Sequence, residues 1–176
     1  MKKLLLVIDA QKSFINEITE PYVKKIQELV NSNKYEKVAF TKFINSKDSI
    51  WYKKLKYKGC ITEDNQAIMI DTKNNEVFEK TIYSAVNNEL VKYIKENDVE
   101  QIYLCGFDTD ACVLKTALDL FENNYEVYVL KEYCMSGAGQ KIHNDTIENL
   151  KRLIGKKYVI SVSYTHLRAH ETLANL

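Results

Sequence analysis

Five apolar residues, Leu4-Leu-Leu-Val-Ile8, run without a break into a carboxylate, Asp9. The run is far too short to span a membrane. Although Lys2 and Lys3 precede it, it is also too short for the core of an export signal. Continuous rather than alternating apolar character marks a strand covered on both faces, as strands of a parallel sheet are. Further strands are expected at Lys37–Phe43, Gln101–Phe107, Glu126–Lys131 and Lys157–Val162, with a shorter one at Ala67–Ile70. Helical periodicity lies between them, at Pro21–Asn31, Ser84–Glu96, Ala111–Asn123 and Thr146–Leu153. Strands alternating with helices make βαβ units. Right-handed crossovers then place helices on both faces, a three-layer α-β-α architecture. In such sheets ligands sit beyond the carboxyl ends of the strands. Those ends offer Asp9, Gln11 and Phe14 after the first strand, and Gly106-Phe-Asp-Thr-Asp-Ala-Cys112 after the fourth.

With 176 residues, one domain is expected, spanning 1–161. The remaining stretch, 162–176, reads Val162-Ser-Tyr-Thr-His-Leu-Arg-Ala-His-Glu-Thr172 near its start. It holds two of the three His and one of the two Arg residues. It resembles a peptide obtained by translating sequencing-adapter DNA, and is expected to be a non-native tail. Lys plus Arg number 25 and Asp plus Glu 24, a net charge of +1. This argues against a nucleic-acid partner or an anionic membrane surface. The one local basic stretch, Trp51-Tyr-Lys-Lys-Leu-Lys-Tyr-Lys58, reads as a solvated, Tyr-rich face. Four cysteines with no CxxC and no metal-type spacing, behind no export signal, are expected to be reduced thiols in a cytoplasmic protein.

Three residues are candidates for chemistry. Cys112 opens an amphipathic helix, with Thr109 or Asp110 as its N-cap. Unpaired N–H groups and the positive end of the dipole there favour a thiolate and suit an oxyanion. Read alone, however, it is as easily a buried structural cysteine, as mid-strand Cys105 is. Asp9 follows five apolar residues, where a carboxylate needs partners or a role; capping the next loop would be enough. Lys80 stands in Val77-Phe-Glu-Lys-Thr-Ile-Tyr-Ser84, and read alone is a surface charge.

Taken together, the blocks around these residues resemble the isochorismatase-like cysteine hydrolases, the superfamily that includes nicotinamidases. Val7-Ile-Asp-Ala-Gln-Lys-Ser-Phe14 is similar to the family's first-strand block. Glu79-Lys-Thr-Ile-Tyr-Ser-Ala85 is similar to its lysine block. Gly106-Phe-Asp-Thr-Asp-Ala-Cys-Val-Leu-Lys-Thr-Ala117 is similar to its nucleophile block. Order and spacing agree from about residue 3 to 160. The resemblance implies an Asp9–Lys80–Cys112 triad and a six-stranded, mainly parallel, Rossmann-like sheet. It implies a cis peptide at Phe107–Asp108, which would turn the Asp108 N–H beside the Cys112 N–H as an oxyanion hole. Phe14, with Gln11 and Tyr83, would contact a small-molecule substrate, and the chain would form a homodimer or homotetramer. Trp51, Tyr52, Tyr57 and Tyr133 are further aromatic candidates for the pocket or the core.

The implied reaction is hydrolysis of a carbon–nitrogen bond in a small carboxamide or carbamoyl compound, through a thioester on Cys112. Nicotinamidases hold a metal with an Asp-x-His motif after the second strand plus another His. Here that region reads Phe40-Thr-Lys-Phe-Ile-Asn-Ser-Lys-Asp48, without His. No metal and no cofactor are therefore expected, and His143, the one His outside the tail, is expected on a helix surface. Three other readings stay open. One is isochorismatase-type ether hydrolysis, although isochorismatases generally lack the cysteine. Another is a catalytically silent relative that binds a metabolite or partner. The third is thiol redox sensing by Cys112 with Cys134.

Overall fold

In the computed structural model, which describes residues 1–162, the Leu4–Ile8 run is fully buried within β1 (Lys3–Ile8). β1 pairs in parallel with β2 (Lys37–Phe43) on one side and β4 (Gln101–Phe107) on the other. β3 (Glu76–Lys80) extends the sheet beyond β2, and β5 (Glu126–Met135) and β6 (Val159–Ile160) extend it beyond β4. The order is β3-β2-β1-β4-β5-β6, with every pairing parallel. The chain runs outward from β1 to one edge and then returns to lie beside β1 as β4. The crevice at that reversal, beyond the carboxyl ends of β1 and β4, is where this fold class places its ligand.

Alternate β1 residues feed two cores. Leu4, Leu6 and Ile8 face α4 (Asn88–Glu96), α5 (Leu114–Glu122) and α6 (Gln140–Ile154), represented by Leu90, Leu120 and Leu150. Leu5 and Val7 face α1 (Glu20–Asn31), through Ile26 and Leu29, together with Phe40 and Tyr103. Two short helices, α2 (Ile50–Leu55) and α3 (Glu63–Gln66), fill the long connection from β2 to β3.

The structure corrects several sequence expectations. Ala67–Ile70 is no strand; it contributes only an isolated antiparallel bridge, Ile68 to Gln11. The third strand is Glu76–Lys80, an edge strand in which only Phe78 and Lys80 are buried. Its Glu-Val-Phe-Glu-Lys sequence hides a strand because an edge presents one face to water. The last strand is two residues long, since Lys156–Tyr158 forms a 3₁₀ turn. α4 starts at Asn88, because the Asn87 side chain accepts the Leu90 N–H at 2.9 Å and caps it. α6 starts earlier than its apolar periodicity, at Gln140. The expected non-native tail falls, apart from buried Val162, outside the described residues. No helix among the described residues is long and apolar enough to cross a membrane.

Candidate active site

Asp9 directly follows β1 with a positive φ of 44°, a conformation Asp tolerates better than most residues. Its carboxylate is fully buried. The Thr41 hydroxyl donates to Oδ1 at 2.6 Å, while the Asp9 N–H donates to the same hydroxyl oxygen at 3.1 Å, tying β1 to β2. Oδ2 lies 2.7 Å from the Nζ of Lys80, whose side chain reaches in from the edge strand and is 2% exposed. The same ammonium donates to the Ile82 carbonyl at 3.0 Å and to the Cys112 Sγ at 3.4 Å. The ammonium thus has one ion pair and two hydrogen bonds, and the Phe43 ring lies 5.1 Å from Nζ as well. Three residues 32 and 71 positions apart in sequence are thus brought to one point at the switch of the sheet.

Burial opposes both charges. Alone it would lower the Lys80 pKa, but the Asp9 carboxylate and then Cys112 outweigh it, so Lys80 stays protonated. Cys112 moves the other way. Burial pushes its thiol well up, the Asp9 charge pushes it further, and Lys80 pulls against both. Burial and the Asp9 charge thus oppose the thiolate that a helix start would favour at Cys112. The expected cap is corrected. Cys112 sits inside a π-type turn, Thr109–Val113, ahead of α5, and neither Thr109 nor Asp110 caps it. Ala111 N–H and Val113 N–H both converge on the Asp108 carbonyl at 3.2 Å. The Phe107–Asp108 peptide is cis, as the resemblance implies.

Cys112 opens into a cavity of about 630 Å³ lined by Phe14, Phe43, Trp51, Tyr57, Tyr83 and Asp108, among others. Phe14 and Tyr57 stack at 6.2 Å, and Trp51 meets Phe43 and Tyr83 edge-on at 5.5 and 5.4 Å. The stretch 51–58 is thus half solvated. Lys53, Lys54, Lys56 and Lys58 are exposed, yet Lys56 and Lys58 line the cavity together with Trp51 and Tyr57. Tyr52 and Tyr133 are not among its walls, and Phe43, with Ser13 and Leu55, went unnoticed in the sequence. Phe43 is the last residue of β2, so the rule that ligands sit at strand carboxyl ends would have found it.

Gln11 does not line the cavity. It is fully buried, and its amide donates to the Phe43 and Gln66 carbonyls, each at 2.9 Å, while accepting the Phe43 N–H at 2.7 Å. With both amide hydrogens spent on backbone carbonyls, it ties the end of β1 to the ends of β2 and α3. Asp108 does reach the cavity, and its Oδ1 accepts the Gly137 N–H at 2.9 Å. Burial, joined by the charges of Asp110 and Asp9, pushes it up to about 6, against the Gly137 N–H. His143 is no surface residue: it is 6% exposed, with Nδ1 2.8 Å from the Thr109 hydroxyl.

The donor set at the end of β2 does not suit a metal. Asn45 donates to the carbonyls of Tyr57 and Gly59 at 3.1 and 2.9 Å, and no His is near. Among the described residues, no three His, Cys, Asp or Glu side chains cluster closely enough to hold a metal ion.

The chain is similar to several known proteins. An isochorismatase domain profile matches residues 3–162. Isochorismatase family protein 1A of Dictyostelium discoideum is 31% identical over 155 residues, covering 85% of this chain and 69% of that protein. Family protein 2A of the same organism is 29% identical over 159 residues, covering 84% and 73%. The fold is shared with an isochorismatase-like hydrolase from Alkaliphilus metalliredigens, at TM-score 0.81 and 19% identity over 96% of this chain and 99% of that one. It is also shared with the pyrazinamidase of Pyrococcus horikoshii in complex with zinc, at TM-score 0.77 and 22% identity over 88% and 97%. The chain belongs to the isochorismatase family of hydrolases.

Proposed function

We propose that this protein is a cysteine hydrolase that cleaves a carbon–nitrogen bond of a small carboxamide or carbamoyl compound without a metal. The observation that carries the reading is the buried ammonium of Lys80. It lies 2.7 Å from Asp9 and 3.4 Å from the Cys112 sulfur, and Cys112 in turn opens on an aromatic cavity. Asp9 takes the thiol proton as the sulfur attacks the carbonyl carbon. Lys80 offsets the negative charge as it moves from carboxylate to sulfur. The carbonyl oxygen, now anionic, accepts from the backbone N–H groups of Asp108 and Cys112. When the intermediate collapses, the C–N bond breaks and protonated Asp9 gives its proton to the departing nitrogen. A thioester remains. Water then attacks it, Asp9 takes a proton from the water, and the thiol is restored as the acid leaves. The upward push on the Cys112 thiol suits this sequence, which needs a base to remove its proton.

Ammonia release from a panel of small carboxamides and ureido compounds tests the reading, with Cys112→Ser as control and mass spectrometry for the acyl-enzyme. Release by the wild type, its loss in the variant and an acyl adduct on Cys112 are the expected results. Turnover that survives Cys112→Ser would instead point to the ether-cleaving chemistry of isochorismatases.

A further inference from the structure

Thr109 and His143 are buried titratable or polar groups beside the nucleophile, and the proposed reaction uses neither. Thr109 is the first residue of the turn that carries Cys112, and is fully buried. Its hydroxyl makes one hydrogen bond, 2.8 Å to Nδ1 of His143 on α6, across 34 residues of sequence. A buried hydroxyl keeps its hydrogen satisfied only if it has an acceptor, so Thr109 donates and Nδ1 is unprotonated, with the ring proton on Nε2. Burial, which holds His143 below its ordinary pKa against the pull of Asp110, favours the same neutral ring.

Within the turn, the Ala111 and Val113 N–H groups share the one Asp108 carbonyl, each at 3.2 Å, and the Leu114 N–H donates to the Thr109 and Ala111 carbonyls. Lys80 reaches its Cys112 sulfur from β3. The segment that leads from β5 into α6 adds two ties: Gly137 N–H on the Asp108 carboxylate at 2.9 Å, and His143 on Thr109. We infer that His143 is a positioning residue: through the Thr109 hydroxyl, α6 holds the turn so that the Cys112 sulfur stays against Lys80 and its N–H faces the cavity. This rests on the proposed reaction for its kinetic consequence, but not for its chemical one. The reactivity of Cys112 toward an alkylating agent needs no substrate.

Three variants decide it, His143→Phe, His143→Asn and the double variant His143→Phe/Thr109→Val. Each is measured for iodoacetamide labelling at Cys112 by site-resolved mass spectrometry, for thermal unfolding, and for kcat and KM on the best amide of the panel. A displaced nucleophile typically loses about 100-fold in rate. His143→Phe is therefore expected to lower kcat by roughly 10- to 100-fold with KM changed less than about twofold, and to change the Cys112 labelling rate several-fold. In His143→Asn the side-chain oxygen lies where Nδ1 was, so both rates return to within about threefold of wild type. Should His143→Phe fail to fold, the double variant removes the stranded hydroxyl. A folded double variant that is still slow upholds the inference. A folded His143→Phe or double variant with wild-type labelling and kcat overturns it, as does a folded His143→Asn no better than His143→Phe. If the wild type releases no ammonia at all, the proposed reaction fails, and the labelling rates alone still decide the role of His143.

Discussion

Lys80 holds its ammonium inside the protein, paired with Asp9 and bonded to Ile82 and Cys112. Replacing it with methionine keeps the volume but leaves the Asp9 carboxylate buried without its counter-charge. Breaking a buried pair in this way costs about 3–5 kcal/mol. Lys80→Met is therefore expected to lower the urea unfolding midpoint sharply and to abolish ammonia release; unchanged stability would show that Asp9 had never depended on the pair. Asp108 gives a pH prediction. Its folded pKa of about 6 lies above the ordinary carboxylate value of 3.8, so the native state holds its proton more tightly than the unfolded chain does. The stability it contributes is fully present below the unfolded pKa and is lost as pH rises through about 6. Asp108→Asn removes that dependence, so the variant gains stability relative to wild type between pH 4 and pH 7.5. Urea titrations of both proteins at the two pH values check this, and a difference constant with pH would refute it. Asp9 and Cys112 drew notice in the sequence, as a carboxylate after an apolar run and a cysteine ahead of an amphipathic helix, but each read alone had a structural account as well. Lys80 was legible only through resemblance. Nothing in Glu-Val-Phe-Glu-Lys tells a reader that this one lysine points inward.

Between β1 and β4 the backbones come so close that one residue has no room for a side chain. Gly106 has φ +119°, and a Cβ there would sit 2.0 Å from the Ile8 carbonyl oxygen. Gly106→Ala is expected to cost more than about 4 kcal/mol, because backbone on both sides must move. Recovery of folded protein at wild-type yield and melting temperature would contradict it. Gln11 plays the matching part at the other end of the site. With Leu in its place, three buried backbone groups, Phe43 N–H, Phe43 C=O and Gln66 C=O, lose their partner. Each stranded group costs about 1–3 kcal/mol, so Gln11→Leu should destabilise by roughly 3 kcal/mol or more in denaturant titration. Central strands read correctly from sequence because both of their faces are apolar. The edge strand did not, since its outward residues are charged, and the segment Ala67–Ile70 misled because four apolar-rich residues suffice for a bridge as well as for a strand.

The whole molecule is organised around two cores that share β1 and β4 and thin out toward the edges. Every residue of β4 is buried, and so is β1 from Leu4 onward, whereas β3 is mostly exposed. Amide hydrogen exchange should therefore be slowest in β1 and β4 and approach the global unfolding limit there, with β3 opening much earlier. Equal protection across the sheet would contradict this. The four cysteines sort in the same way. All are buried, but only Cys112 opens on the cavity, while Cys60, Cys105 and Cys134 are 0% exposed. Iodoacetamide is expected to label Cys112 first in the native state. The others should follow only as the protein opens.

Local sequence carried what depends on nearest neighbours and on solvent. Runs apolar on both sides specified central strands, amphipathic periods specified helices, and their alternation specified the parallel three-layer class. The balance of charge argued against a nucleic-acid partner or an anionic membrane surface. Only the tertiary structure decided which side chains meet. Lys80 crosses β2 to reach Asp9, the Trp51–Lys58 stretch folds its aromatic face onto the cavity, Gln11 is spent on backbone, and His143 goes inside to hold Thr109. These contacts join residues 32 to 71 positions apart, and no local pattern encodes them. They arise because a parallel sheet that reverses direction between β1 and β4 gathers the ends of distant strands at one crevice. There the low dielectric makes each buried charge depend on a partner from elsewhere in the chain.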